Sequence, residues 1–180
     1  MKTLVVNLYG APCSGKSVKM LQLGVVGKLR GAFCEICAEV AKEYVVQGIP
    51  ITGEVQRALT REQTRRMLCF VGNVEVVVTD APPLIGAFYA AYHRMEGAAE
   101  MVELFEGYRR AIAARADRVA NVYMWRDHPY EPRGRIESEG EDAEIARQMW
   151  AFVRERYAEE ALFEARSTDS PEALWERVAG

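Results

Sequence analysis

No apolar run in the 180 residues approaches the ~18 that a membrane-spanning helix needs. Histidine is scarce, and neither His93 nor His128 is spaced to complete a zinc site with the cysteines. The four cysteines, Cys13, Cys34, Cys37 and Cys69, are too few for a disulfide scaffold; without a signal peptide they read as reduced, packed thiols. An excess of positive charge is also missing. With 23 Lys and Arg against 26 Asp and Glu, the net charge is −3, which excludes a generally basic nucleic-acid coat and leaves a local patch to meet any polyanion. What is present is enough apolar residue, 49%, to bury the core of one domain over 1–180, so disordered, collagen and coiled-coil readings fail. The N-terminal apolar run leads into a glycine-lysine loop instead of a cleavage site, so it reads as a strand and places the chain in the cytoplasm, a host cytoplasm if phage-encoded.

Residues 3–9 are β-branched and apolar with little alternation, the pattern of a strand covered on both faces. A helix is predicted over 15–30, with Met20, Leu21, Val25 and Leu29 as its apolar stripe and Gly31 as its stop. A short strand over 33–37, a helix over 38–47 broken by Gly48 and Pro50, and a longer helix over 54–71 follow. The run VEVVVT at 74–79 is a buried strand ended by Asp80, Pro82 and Pro83. Met101, Phe105, Tyr108 and Ile112 mark a packing helix over 97–114, and 119–125 reads as another strand. Residues 126–142, polar and rich in Pro and Gly, read as a mobile flap. A helix from 142, a strand over 162–166 and a helix begun by Ser170 and Pro171 complete the pattern. Strands alternating with helices predict an α/β fold: a P-loop NTPase-type parallel sheet of about five strands, helices on both faces, with ligands at the C-terminal strand edges.

Gly10, Ala11, Pro12, Cys13, Ser14, Gly15, Lys16 and Ser17 form G-x-x-x-x-G-K-S directly after a strand and at the start of a helix, the context the motif requires. Glycines there let successive N–H groups and the helix N-terminus face a phosphate, Lys16 bridges terminal phosphates, and the Ser17 hydroxyl suits Mg²⁺. Asp80, ending a buried strand, has the form of the carboxylate that holds Mg²⁺ through water beside such a loop. Glu39, just beyond the second strand, faces the crevice where a carboxylate accepts a hydroxyl proton, with Glu43 as its competitor. Arg126, Arg133 and Arg135 are spaced to fold over a triphosphate, Arg135 first among them, although Glu131, Glu137, Glu139, Glu141 and Asp142 crowd the same stretch. Cys34 and Cys37 point to opposite faces of a strand, which favours packing over redox or metal chemistry. His93 and His128 read as surface or locally bonded residues.

The runs NLYGAPCSGKS, AEVAKEYV, VVVTDAPPL and NVYMWRDHPYEPRGRIESEGEDAEI, in that order, resemble the small phage-encoded P-loop kinases related to ribosylnicotinamide kinase and thymidylate kinase. Within that group the chain looks most like the 5-hydroxymethyluracil DNA kinases of phages that hypermodify thymidine. The resemblance runs from residue 2 to about 153, and the flap from Tyr130 to Arg135 with its following acids points to this branch. It implies ATP-dependent transfer of a γ-phosphoryl group to the hydroxymethyl oxygen of a modified pyrimidine in DNA, with ATP and Mg²⁺ on the loop. Asp80 matches the family's TD-x-P element and Glu39 the Glu of its E-Y-A-K-like stretch. Val40 stands where Tyr is common, Val18 where a second Ser or Thr follows the loop, and Cys13 where Gly is frequent.

Two other functions fit the same loop. A soluble nucleoside or nucleotide kinase, ribosylnicotinamide-like, suits the acidic charge and would lack the steep salt dependence of a DNA enzyme, which must also extrude its base. A nucleotide-gated accessory ATPase would hydrolyse ATP slowly alone and faster with a partner.

Overall fold

The computed structural model describes residues 2–133, 137–157 and 162–180; Arg135 lies outside the described residues. The chain runs β1 (Leu4–Tyr9), α1 (Lys16–Leu29), β2 (Cys34–Cys37), α2 (Ala41–Val46), α3 (Gly53–Phe70), β3 (Val76–Thr79), α4 (Pro83–Tyr92), α5 (Ala98–Ala113), β4 (Arg118–Trp125), α6 (Glu139–Arg156), β5 (Leu162–Arg166) and α7 (Pro171–Ala179). Apolar side chains on both sides of β1 demand cover on both sides, and the sheet meets this by placing β1 at its centre. All strands are parallel in the order β2-β3-β1-β4-β5, with Val6 of β1 level with Val78 and Ala120.

Alternation along β1 sends Val6 and Leu8 to one core, with Met20 and Leu23 of α1 and Trp175 of α7. Val5 and Tyr9 enter the other, with Leu84 of α4, Phe105 of α5 and Ile145 of α6. Parallel strands connected this way carry every β-to-α loop to one edge, and the described candidate site residues sit there. None of the described helices is long and apolar enough to cross a membrane.

Three expectations about helices are corrected. The predicted stripe of α1 is mostly exposed: Met20 is buried, but Leu21, Val25 and Leu29 are 53%, 56% and 82% exposed. The helix turns its small side inward instead. A Cβ on Gly24 would lie 2.8 Å from Ile36, and one on Gly27 would lie 2.6 Å from the Trp175 ring. Close approach to the sheet and to α7 therefore decides the rotation of α1, and it carries Lys19 into the interior, where its ammonium donates to the Asp169 carbonyl.

The stretch after Pro82 and Pro83 was expected only to end a strand, and it also starts α4, with Pro83 as its first residue. That helix, PLIGAFYAAY, is apolar nearly all round, so it offers no polar stripe to reveal its period. Finally, α6 begins three residues before 142. Ser138 and Glu141 form a capping box, so the acidic end of the flap is the first turn of a helix.

Candidate active site

The loop from Gly10 to Ser17 leaves the C-terminal end of β1 and turns into α1. Two of its glycines are required by space as well as by backbone: Gly10 has φ 141° and a Cβ there would lie 2.5 Å from the Met124 carbonyl oxygen, while Gly15 has φ 82° and a Cβ would meet Ser167 at 2.6 Å. Cys13 also adopts the left-handed region, at φ 57°, where glycine would be unstrained. This gives a physical reason for a glycine at that position in related loops. Here the Cys13 thiol donates to the Glu131 carbonyl at 3.2 Å, so the residue ties the loop to the flap. Lys16 curls back on the loop, donating to the carbonyls of Gly10 and Ala11, each at 2.7 Å.

Asp80, 1% exposed at the end of β3, gathers the neighbouring groups. Its Oδ2 accepts from the Ser17 hydroxyl at 2.5 Å, and its Oδ1 accepts from the backbone N–H of Glu39 at 3.0 Å. Lys42, which the sequence reading passed over, donates to Ser17 Oγ at 2.6 Å and lies 3.8 Å from Asp80 Oδ2. A hydroxyl oxygen and a carboxylate oxygen in contact, with an ammonium already against both, form a hard-oxygen pair of the kind that Mg²⁺ uses beside phosphate oxygens. The Ser17 and Asp80 donors therefore fit the ion.

Beyond them opens a cavity of about 660 Å³ that runs from Gly10, Pro12 and Lys16 past Glu39, Lys42 and Asp80 to the inner faces of α3 and α4. Glu39 is among the lining residues; Glu43, its competitor, lies exposed on α2 and is not. Gln56, Leu59, Thr60 and Gln63 of α3 and Ile85, Gly86 and Tyr89 of α4 form the far walls. His93, at the end of α4, belongs to this wall, with its ring nearly parallel to Tyr89 at 6.0 Å.

The two described flap arginines, Arg126 and Arg133, engage neighbouring acids. Arg126 is held by the first turn of α6, with Asp142 and Glu139 both at 3.3 Å, and lies over the Tyr130 ring at 5.5 Å. Arg133 is 89% exposed and pairs with Glu131 two residues back. The acids crowding this stretch thus engage both described arginines. On the same side of the loop, Asp127 accepts from the hydroxyls of Ser167 and Thr168, which join the loops after β4 and β5, and these bonds hold its carboxyl down at about 2.

Cys34 and Cys37 do face opposite cores, and burial pushes their thiols up to about 11 and about 12. Two protonated thiols on opposite sides of a sheet make no redox pair.

No family model matches the chain, and no curated protein does. Among solved structures, the NadR protein in complex with NR aligns with 99% of this chain at a TM-score of 0.68 and 17% identity. This chain spans about half of that protein, 52% of its length. At that identity the likeness carries the architecture alone, an α/β fold with a five-stranded parallel sheet.

Proposed function

We propose that the chain is an ATP-dependent kinase that phosphorylates a hydroxyl of a nucleoside-type acceptor. The acceptor implied by the family resemblance is the hydroxymethyl oxygen of 5-hydroxymethyluracil in DNA. The observation that carries the kinase reading is the direct bond between Ser17 of the loop and Asp80, at the mouth of a cavity deep enough for a second substrate. A hydrolase that only switches needs the first feature; an acceptor cavity walled by α3 and α4 favours transfer.

The residues divide the work as follows. Backbone N–H groups from Gly10 to Ser17 and the start of α1 would hold the β- and γ-phosphates, and Lys16 would exchange its carbonyl partners for phosphate oxygens. Ser17 and Asp80 would hold Mg²⁺, which when bound neutralises charge on the β- and γ-oxygens. Glu39, fixed at its backbone by Asp80, would take the acceptor's proton as that oxygen bonds to the γ-phosphorus and the bond from phosphorus to the ADP oxygen breaks. Lys42, already beside Ser17 and Asp80, adds positive charge where negative charge gathers.

A free nucleoside or nucleotide as acceptor is the second reading. It is favoured by the net charge of −3, which gives no general attraction to a polyanion. One experiment separates the two: labelled γ-phosphate is offered with DNA containing 5-hydroxymethyluracil, with ordinary thymine DNA, and with free nucleosides and nucleoside monophosphates. Label on the modified DNA alone supports the DNA acceptor, and label on a small molecule alone moves the enzyme to metabolite chemistry. The Lys16→Ala chain should transfer none. Absence of transfer to any acceptor, with ATP still bound, would overturn the kinase reading in favour of a nucleotide-gated ATPase.

A further inference from the structure

The inward stripe of α3 reads Gln56, Leu59, Thr60, Gln63 and Met67, so two glutamines sit two turns apart on a buried face. They are used differently. Gln63 is spent on the fold: its Oε1 accepts from the Val40 N–H at 3.1 Å, and its Nε2 faces Thr79 Oγ1 and Cys37 Sγ, both at 3.4 Å. It thereby ties the ends of β2 and β3 together. Gln56 is 8% exposed and lines the cavity, yet its side-chain amide makes no hydrogen bond to any described residue. Thr60 bonds the backbone carbonyl of Gln56 and leaves the amide alone.

The rest of the residue is buried, so the amide keeps its access through the cavity, where a ligand can replace water as its hydrogen-bond partner. Its position is also made possible by a gap. A Cβ on Gly86 of α4 would lie 2.2 Å from Thr60 Oγ1 and 3.1 Å from Gln56 Nε2, so a bare glycine leaves the amide its place on the cavity wall. On the same wall Tyr89 presents a half-buried ring backed by His93, and Leu59, Ile85, Ile49 and Pro83 add aliphatic surface to the cavity. Apolar surface, an aromatic face and one free amide together suit a flat ring with a polar edge.

We infer that Gln56 is the specificity-determining residue of the acceptor site, and that its amide pairs with a planar ring whose edge carries an N–H donor beside a C=O acceptor. This rests on the kinase reading for the name "acceptor" and deepens it by naming the class of ring. An amide presents one donor and one acceptor side by side, so it forms two parallel bonds with such an edge and leaves one partner orphaned against a ring that lacks either. Two sources share this chemistry: a uracil-type base, whether free or in DNA, and the carboxamide of a pyridine nucleoside.

The test is equilibrium binding by calorimetry to the full chain, with 5-hydroxymethyl-2′-deoxyuridine, its N3-methyl derivative, and ribosylnicotinamide as probes, run beside the labelled-phosphate assay. Methylating N3, which removes the donor, should weaken binding of the uracil-type nucleoside about ten- to hundredfold. Gln56→Glu keeps the shape, removes both donors and should weaken the unmethylated probe by a similar factor, while Gln56→Met should erase the difference between methylated and unmethylated probes. Melting curves with and without ATP check that each variant is folded. Preference for ribosylnicotinamide over the uracil-type probe, with the same sensitivity to Gln56, assigns the carboxamide source.

Equal binding of the N3-methyl and parent compounds, or no binding of any probe, overturns the assignment. Transfer that continues in the Gln56 variants at unchanged acceptor KM also overturns it and leaves the kinase reading intact. Binding that depends on Gln56, with no transfer to any acceptor, keeps the ring site and removes the kinase.

Discussion

Replacing Gly10 by Ala tests the loop through its backbone and not through a charged side chain. The added methyl would stand 2.5 Å from the Met124 carbonyl oxygen and 2.6 Å from Ser14 Oγ, and the residue would have to hold φ 141°. Strain in that glycine-only region costs about 1–3 kcal/mol, and overpacking against strand backbone about 1–3 more. A total of roughly 2–6 kcal/mol lowers the melting temperature of a domain this size by roughly 5–20 °C, at about 2–4 °C per kcal/mol.

Gly107→Ala is the matched control. It lies within α5 with no heavy atom beyond its chain neighbours and its own helix backbone within 4 Å of the new methyl, so only the helix preference of Ala over Gly, about 0.8–1.0 kcal/mol, should act, and melting should rise by about 2–4 °C. Scanning each chain with and without Mg-ATP adds the functional half. Ligand at a hundred times its dissociation constant stabilises by about 2.7 kcal/mol, a rise of roughly 5–10 °C expected for the wild type and Gly107→Ala and absent from Gly10→Ala. If Gly10→Ala melted within about 1 °C of the wild type and kept the ATP shift, the loop geometry described above would be refuted.

Asp80→Asn keeps the size of the hub but turns an N–H towards groups that donate to it, Ser17 and the Glu39 backbone. Half-maximal transfer should then need about 10–100 times more Mg²⁺, and an unchanged titration would remove Asp80 from the metal pair. Alkylation of the native chain near pH 8 should label the exposed Cys69 and spare Cys34 and Cys37 until the protein unfolds. Burial holds those two thiols protonated up to about 11 and about 12. Mass spectrometry reads the outcome, and fast native labelling of both would restore a redox role for the pair.

The parts of the fold legible in the sequence are those where one force acts alone. β1 and β3 are apolar on both faces because both faces are covered, and the loop between β1 and α1 is spelled by glycines that space and backbone demand. Periodicity failed where small residues decided the packing. On α1 the stripe of Leu21, Val25 and Leu29 and the inward set of Leu23, Gly24 and Gly27 each fit one face of a helix, and close approach to Ile36 and Trp175 chose the set with less hydrocarbon. A lysine on the chosen side, Lys19, adds to the ambiguity, since its reach to the Asp169 carbonyl exists only after β5 and α7 have folded against it.

The site divides along the same line. Lys16 and Ser17 belong to a loop pattern fixed by local chain geometry, and Asp80 to a strand-ending pattern that the β1–β3 pairing brings beside Ser17, whereas Lys42 comes to both because β2 pairs beside β3 and delivers the start of α2 to the same edge. Gln56 and Gln63 carried a usable signal, two amides seven residues apart with Leu59 and Thr60 between them on a stripe ending in Met67, but periodicity gives both the same weight. Only the tertiary contacts distinguish them. Gln63 meets the ends of two strands, and Gln56 meets a cavity wall shared with α4, a helix the sequence pattern did not reveal. On the proposed kinase reading, phosphate binding is written mainly along the loop from Gly10 to Ser17, while acceptor choice lies between α3 and α4, so changes of substrate within this architecture are expected to arise on that wall without touching the loop.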